Sequence, residues 1–188
     1  MRIIGGSARG RPLKTPIGQD IRPTSDKVRL AMFNALFSRG GVVGAHVLDA
    51  FCGTGALGCE ALSHGADHAL FCDLSKTSLA LAKDNVRTLG FADRADFQIT
   101  DASRMGERPA QCAPRDLVFL DPPYRKGLIA PTLTALIAGH WLAEDALIVI
   151  ETETNAPSLP TDCGTIVFDK TYGETQVVFL RASAVPLL

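Results

Sequence analysis

A chain of 188 residues that is 46% hydrophobic and 21% charged has enough apolar material for one packed domain and too little charge for a disordered one. No apolar run approaches the roughly 20 residues needed to cross a bilayer, and the opening MRIIGGSARGR has no apolar stretch of the signal-peptide kind. Five cysteines, Cys52, Cys59, Cys72, Cys112 and Cys163, are odd in number and form no CxxC pair, which points to reduced thiols in a cytoplasmic protein and away from a zinc site or any other metal site.

The net charge of −1 is unevenly spread. Residues 1–39 hold eight Lys/Arg against Asp20 and Asp26, a surplus of +6, which leaves −7 on the remainder. A basic head on an acidic body suggests that the head meets a polyanion. Within it, RIIGG and RPLKTP read as short strands around a Gly/Ser/Arg turn. Residues 25–37 read as a helix with Ser25 as N-cap, and Val28, Ala31, Met32, Ala35 and Leu36 form its apolar stripe, widened by Phe33 and Phe37.

From residue 46 the chain alternates. Strand HVLDAF leads through CGTGALG into a helix ending near His64. Strand 68–73 is followed by helix KTSLALAKDNVRTLG, and strand 95–100 by an irregular stretch, 102–115. DLVFLD, residues 116–121, leads through PPY to helix LIAPTLTALIAGHW and then strand 146–151. TIVFDKTYG and ETQVVFLRA, joined at Gly173-Glu174, read as a closing hairpin. Such alternation predicts an α/β fold, a mostly parallel sheet of about seven strands with helices on both faces. Residues 1–39 are expected as an N-terminal extension, residues 40–188 as the main domain, and residues 152–162 as the most mobile loop.

In open parallel sheets ligands sit beyond the C-terminal strand ends at the switch point. The strand ends here carry Asp49 with Gly53 and Gly55, then Asp73, Asp101, and Asp121 through Tyr124. Gly53, Gly55 and Gly58 also satisfy GxGxxG with Asp73 downstream, so a nicotinamide dinucleotide competes for this loop. Asp49 discriminates. A carboxylate beside the loop would repel a pyrophosphate at a helix N-terminus and welcome an ammonium or sulfonium, and S-adenosylmethionine carries both. Asp73 suits ribose hydroxyls, and Asp101-Ala102 suits an adenine amino group and ring.

FLDPPY then acquires a purpose. An exocyclic nucleobase amine is a poor nucleophile because its lone pair is delocalised into the ring. Asp121 can accept one of its N–H groups and the Pro122 carbonyl the other, which frees the lone pair. The two prolines stiffen the turn, and Tyr124 can stack on a base extruded from its helix.

Together DAFCGTGALG, Asp73, TDA and DPPY resemble the class I S-adenosylmethionine-dependent methyltransferases that methylate amines. RIIGGSARGRPLKTPIGQDIRPTSDKVRLAMFNAL resembles the start of the bacterial RsmD family, guanine-N2 methyltransferases of 16S rRNA, and the likeness covers nearly the full length. The resemblance implies a Rossmann-like seven-stranded sheet with the last strand antiparallel. It implies the small ribosomal subunit or an assembly intermediate as partner and S-adenosylmethionine as cofactor. It assigns Asp49, Phe51, Gly53, Gly55, Asp73, Leu74, Asp101 and Ala102 to the cofactor. Asp121, Pro122, Pro123 and Tyr124 become the catalytic tetrad, and Arg9, Arg11, Arg22 and Lys27 RNA-backbone contacts. Cys52 and Thr54 depart from the usual FAGSG loop, and Leu30 from the glutamate of VRE.

Other side chains take plainer readings. Trp141 is expected in the core, Lys170 on a solvated hairpin edge, and the four histidines show no ligand spacing. A monomer is expected, because no apolar stripe is left over. Adenine N6 and a protein glutamine amide remain alternative methyl acceptors, since DPPY-type motifs serve all such amines. A non-catalytic RNA-binding module and a nicotinamide-dependent reductase are the remaining alternatives.

Overall fold

The computed structural model describes residues 1–16, 25–154 and 163–183. In chain order its elements are α1 (Asp26–Phe37), β1 (His46–Asp49), α2 (Ala56–Ser63), β2 (His68–Asp73), α3 (Lys76–Leu89), β3 (Ala95–Ile99), β4 (Arg115–Leu120), α4 (Ile129–Ala138), β5 (Leu142–Glu153), β6 (Gly164–Tyr172) and β7 (Thr175–Ala182). Helix starts follow local chemistry. The Ser25 hydroxyl accepts from the Val28 amide at 3.2 Å and the Ser75 hydroxyl from Ser78 at 3.1 Å, each satisfying an orphan donor. Gly90 ends α3 in the left-handed region at φ 83°.

The seven strands form one sheet in the order β3-β2-β1-β4-β5-β7-β6. Strands β1 to β5 pair in parallel, and β7 pairs antiparallel with both β5 and β6. The strand order reverses between β1 and β4, where Asp49 lies opposite Phe119. One face carries α1, α2 and α3 over Val47, Phe71, Phe119 and Val149; the other carries α4 and Trp141 over Leu48, Val118, Leu120 and Ile150. Burial on both faces explains why LVFL and ALIVI read as unbroken apolar runs.

Several boundaries differ from the sequence reading. β1 stops at Asp49, because Ala50 and Phe51 already turn into the glycine loop. β4 ends at Leu120, where Pro122 and Pro123 can no longer donate to a ladder. β5 begins earlier than expected and runs on to Glu153, held by seven residue pairs with β7; this takes Thr152 and Glu153 out of the expected loop, and its residues 155–162 lie outside the described ones. Phe37 does not widen the α1 stripe. It is 42% exposed and meets His64 edge-on. In place of two short strands, the N-terminal segment has one bridge, Arg2 to Pro12, around a 3-10 turn at Gly6–Ala8. Its Ile3, Ala8 and Leu13 are buried in the same cluster as α1–α3. Trp141 is core, as expected, at 3% exposure.

Candidate active site

The crevice between the C-terminal ends of β1 and β4 gathers most of the flagged residues. Asp49 ends β1 fully buried, and its carboxylate accepts from the Gly58 amide of α2 at 3.0 Å. Desolvation is the main influence and raises its pKa to about 7; the Gly58 hydrogen bond opposes this and the nearby Asp73 adds to it. Three glycines shape the loop for different reasons. Gly53, at φ 50°, has no atom within 4 Å of where a Cβ would stand, so its backbone faces open space. A Cβ at Gly55 would stand 3.0 Å from Ala82, and one at Gly58 would drive into the Phe71 ring at 2.3 Å. Asn85 of α3 donates to the Thr54 carbonyl at 2.9 Å, and the Cys52 amide to Cys72 at 2.9 Å. Burial pushes the Cys52, Cys59 and Cys72 thiols well above their usual range, so none supplies a thiolate near neutral pH.

Asp73, ending β2, spans the crevice. One oxygen accepts from Gly53 at 2.9 Å and the other from Ser75 at 2.8 Å, which leaves further lone pairs on each. Beside it Leu74 is 67% exposed, and Ile99 at the end of β3 is 52% exposed. Asp101 caps the next turn through Ser103, and this hydrogen bonding holds its carboxyl below the usual range. Ala102 is buried and Phe51 half-buried.

At the end of β4, Asp121 is half-buried, Pro122 buried, and Pro123 and Tyr124 exposed. The Tyr124 hydroxyl lies 3.4 Å from that of Thr175 at the start of β7. Arg125, at φ 61°, pairs with Glu153 at 3.7 Å. These contacts tie the turn to the closing hairpin. Sequence reading missed Thr175 and Glu153. It also missed Glu151, which is buried next to the end of β4, although the rule applied to the other aspartates, a carboxylate closing a strand, fits Glu151 as well.

The basic head is placed differently. The buried Arg29 donates to the Arg2 carbonyl at 2.7 Å and to Asp26 at 3.0 Å, and lies 3.9 Å from Glu60. Glu60, wholly buried, accepts from the Ile4 amide at 3.0 Å and the Gly5 amide at 2.8 Å. Arg11 caps the C-terminus of α3 through the Leu89 carbonyl at 2.9 Å and that of Thr88. Lys14 pairs with Asp84, and Arg39 donates to Ala35 and Val167 and lies over Phe168. Arg9 and Lys27 line an open groove of about 390 Å³ together with Ile3, Ile4 and Leu30. Arg22 lies outside the described residues.

A doubly wound sheet with a glycine loop after β1, acids after β2 and β3, and Asp-Pro-Pro-Tyr after β4 defines a class I, Rossmann-like methyltransferase. The chain belongs to the RsmD family of methyltransferases: the family model described as conserved hypothetical protein 95 matches residues 1–181. It is 36% identical over 164 residues to the ribosomal RNA small subunit methyltransferase D of Escherichia coli K12, covering 86% of this chain and 80% of that one. The Haemophilus influenzae protein of the same name is 36% identical over 174 residues, 92% of this chain and 89% of its own. The solved Escherichia coli chain yhhF superposes with a TM-score of 0.83 at 34% identity, covering 98% of this chain and 99% of that one.

Proposed function

We propose that the protein transfers a methyl group from S-adenosylmethionine to the exocyclic N2 amine of one guanine in 16S rRNA, within the small ribosomal subunit or an assembly intermediate. The observation that carries this is the register of β1 against β4, which sets the Asp121–Tyr124 turn beside the glycine loop at the switch point between the parallel strands β1 and β4. The names of the relatives supply the ribosomal RNA and the small subunit.

The residues at β1 and β2 fit the cofactor better than a dinucleotide. The Gly58 amide, a donor that a pyrophosphate at the start of α2 would need, is already taken by the Asp49 carboxylate. A buried acid poised near neutrality instead favours a cation beside it. Asp49 and the open backbone at Gly53 would hold the amino-acid end of the cofactor. Asp73 would hold the ribose, and Asp101, Ala102, Leu74 and the exposed Ile99 the adenine. S-adenosylmethionine, when bound, supplies a methyl carbon already activated by its sulfonium.

The chain's own residues then orient the acceptor. Asp121 accepts one N–H of the guanine amine and the Pro122 carbonyl the other, so the lone pair leaves conjugation and points at the methyl carbon. Tyr124 stacks on the base, a contact of about 1–3 kcal/mol, with its ring steadied through Thr175. As the nitrogen gains a fourth bond it becomes cationic, and Asp121 stabilises that charge and takes the departing proton. Arg9, Lys27 and Arg22 contact RNA phosphates. Arg11 contributes indirectly, by fixing the head on α3.

Transfer of labelled methyl to unmethylated small subunits, free 16S RNA and duplex DNA, followed by nucleoside digestion, tests the proposal. N2-methylguanosine at a single site is the expected product. N6-methyladenosine, or label in protein, contradicts it.

A further inference from the structure

Glu151 has no place in the chemistry above, yet it stands next to its centre. The last residue pair between β4 and β5 is Leu120 with Ile150, so one step on in these parallel strands brings Asp121 abreast of Glu151, one strand spacing or about 4.8 Å away. The two also share a face. Phe119 and Val149 belong to the cluster beneath α1–α3, and Leu120 and Ile150 to the opposite one. The two-residue period therefore returns 121 and 151 to the first face, where Asp49 meets α2. Glu151 is 5% exposed and pairs in the sheet with Val177, itself wholly buried. Backbone pairing between β5 and β7 runs through Glu151, so the strand's own ladder does not use its side chain.

In their ionised forms, two carboxylates side by side offer acceptors only. The Watson–Crick edge of guanine offers the matching pattern, with N1–H and N2–H₂ adjacent and both donors. Adenine presents its amine beside a bare N1, which is an acceptor and would face a carboxylate lone pair to lone pair. Building on the proposed guanine-N2 activity, we propose that Glu151 is a specificity-determining residue that accepts the N1–H of the target guanine while Asp121 accepts from N2. Read this way, Asp121 handles the reacting nitrogen and Glu151 identifies the base that carries it. A site that pairs buried polar groups with a substrate donor rejects analogues lacking it more strongly than a shape-based pocket does.

2-Aminopurine isolates this contact, since it keeps the 2-amine but has a bare N1. Small subunits would be reconstituted with 16S RNA carrying guanine or 2-aminopurine at the modified position, and initial rates compared for wild type, Glu151→Gln and Glu151→Asp. Wild type should prefer guanine by at least tenfold. Glu151→Gln, whose amide can donate to a bare N1, should lose rate on guanine and gain on 2-aminopurine, shrinking the ratio by about tenfold or more. Glu151→Asp should keep the guanine preference at a lower rate. If Glu151→Gln slows both substrates equally, or if Glu151→Asp loses the preference as fully as Glu151→Gln does, the residue is structural and the proposal fails. If wild type methylates neither substrate, the failure belongs to the guanine-N2 reading on which the proposal rests.

Discussion

The catalytic rim and the basic head both announce themselves by charge, and the structure treats the two in opposite ways. At the rim, carboxylates stand at strand ends where the fold gains little from them. Asp49 is buried at a cost large enough to bring its pKa to about 7, and Asp121 directly follows the apolar run Leu117–Leu120 that ends β4. In the head, most of the cations serve the fold. Arg29, Arg11 and Arg39 hold backbone carbonyls, and Arg2 and Lys14 pair with Asp26 and Asp84. Among the described residues of the head, Arg9 and Lys27 are the cations whose side chains form neither a hydrogen bond nor an ion pair with described residues. A count of charges overstates an RNA-binding surface when the cations double as helix caps and clamps. A charge placed where the topology opens a crevice is the better guide.

Removing Glu60 should break the head most severely. Glu60→Ala strips the acceptor from the Ile4 and Gly5 amides and leaves Arg29 buried beside a lost partner, at about 3–5 kcal/mol. Urea unfolding should show the drop, and limited proteolysis should cut within residues 1–16. A second test concerns the rim. Gly58→Ala forces a methyl into the Phe71 ring and should cost about 1–3 kcal/mol while weakening cofactor binding through the displaced α2, read by calorimetry.

Asp49→Asn sharpens the contrast, because it should stabilise the free protein while disabling it. The folded-state pKa of Asp49 lies above its unfolded value of 3.8, so the folded chain holds the extra proton between about pH 4 and 7, and stability declines as pH rises through that window. Asparagine keeps an acceptor for the Gly58 amide and removes the charge. The variant should melt a few degrees higher than wild type at pH 8, a gain of about 1–2 kcal/mol, with the gain vanishing near pH 4 and S-adenosylmethionine affinity reduced. The smallest stability effects belong to Arg9→Ala and Lys27→Ala. Each should stay within about 0.5 kcal/mol of wild type yet lower the salt dependence of RNA binding by about one unit of slope.

Most of the rim could be read from the sequence because the rule linking strand ends to ligands needs only the order of elements, and that order follows from apolar runs punctuated by Gly53, Gly55, Pro122 and Pro123. Glu151 closes the apolar run 146–151 and so obeys the same strand-end rule, but its nearness to Asp121 depends on the β4–β5 register, which no local pattern encodes. Thr175 is likewise beyond local pattern, since an antiparallel return from β6 brings it to Tyr124 across 51 residues. Arg11 and Arg29 were read as cations in a basic segment, although their partners, the α3 terminus and Glu60, lie far along the chain. The long β5 was cut short because Glu144 and Asp145 interrupt its apolar run, and pairing with β7 carries it through Thr152 and Glu153.

The account rests on Asp121 acting on the amine and not on the cofactor. Single-turnover methyl transfer to small subunits by Asp121→Ala, with S-adenosylmethionine affinity measured in parallel, tests this most directly. The predicted result is a rate reduced by at least about 100-fold with cofactor affinity within about twofold of wild type. An unchanged rate, or a rate that falls only in step with cofactor affinity, would contradict it.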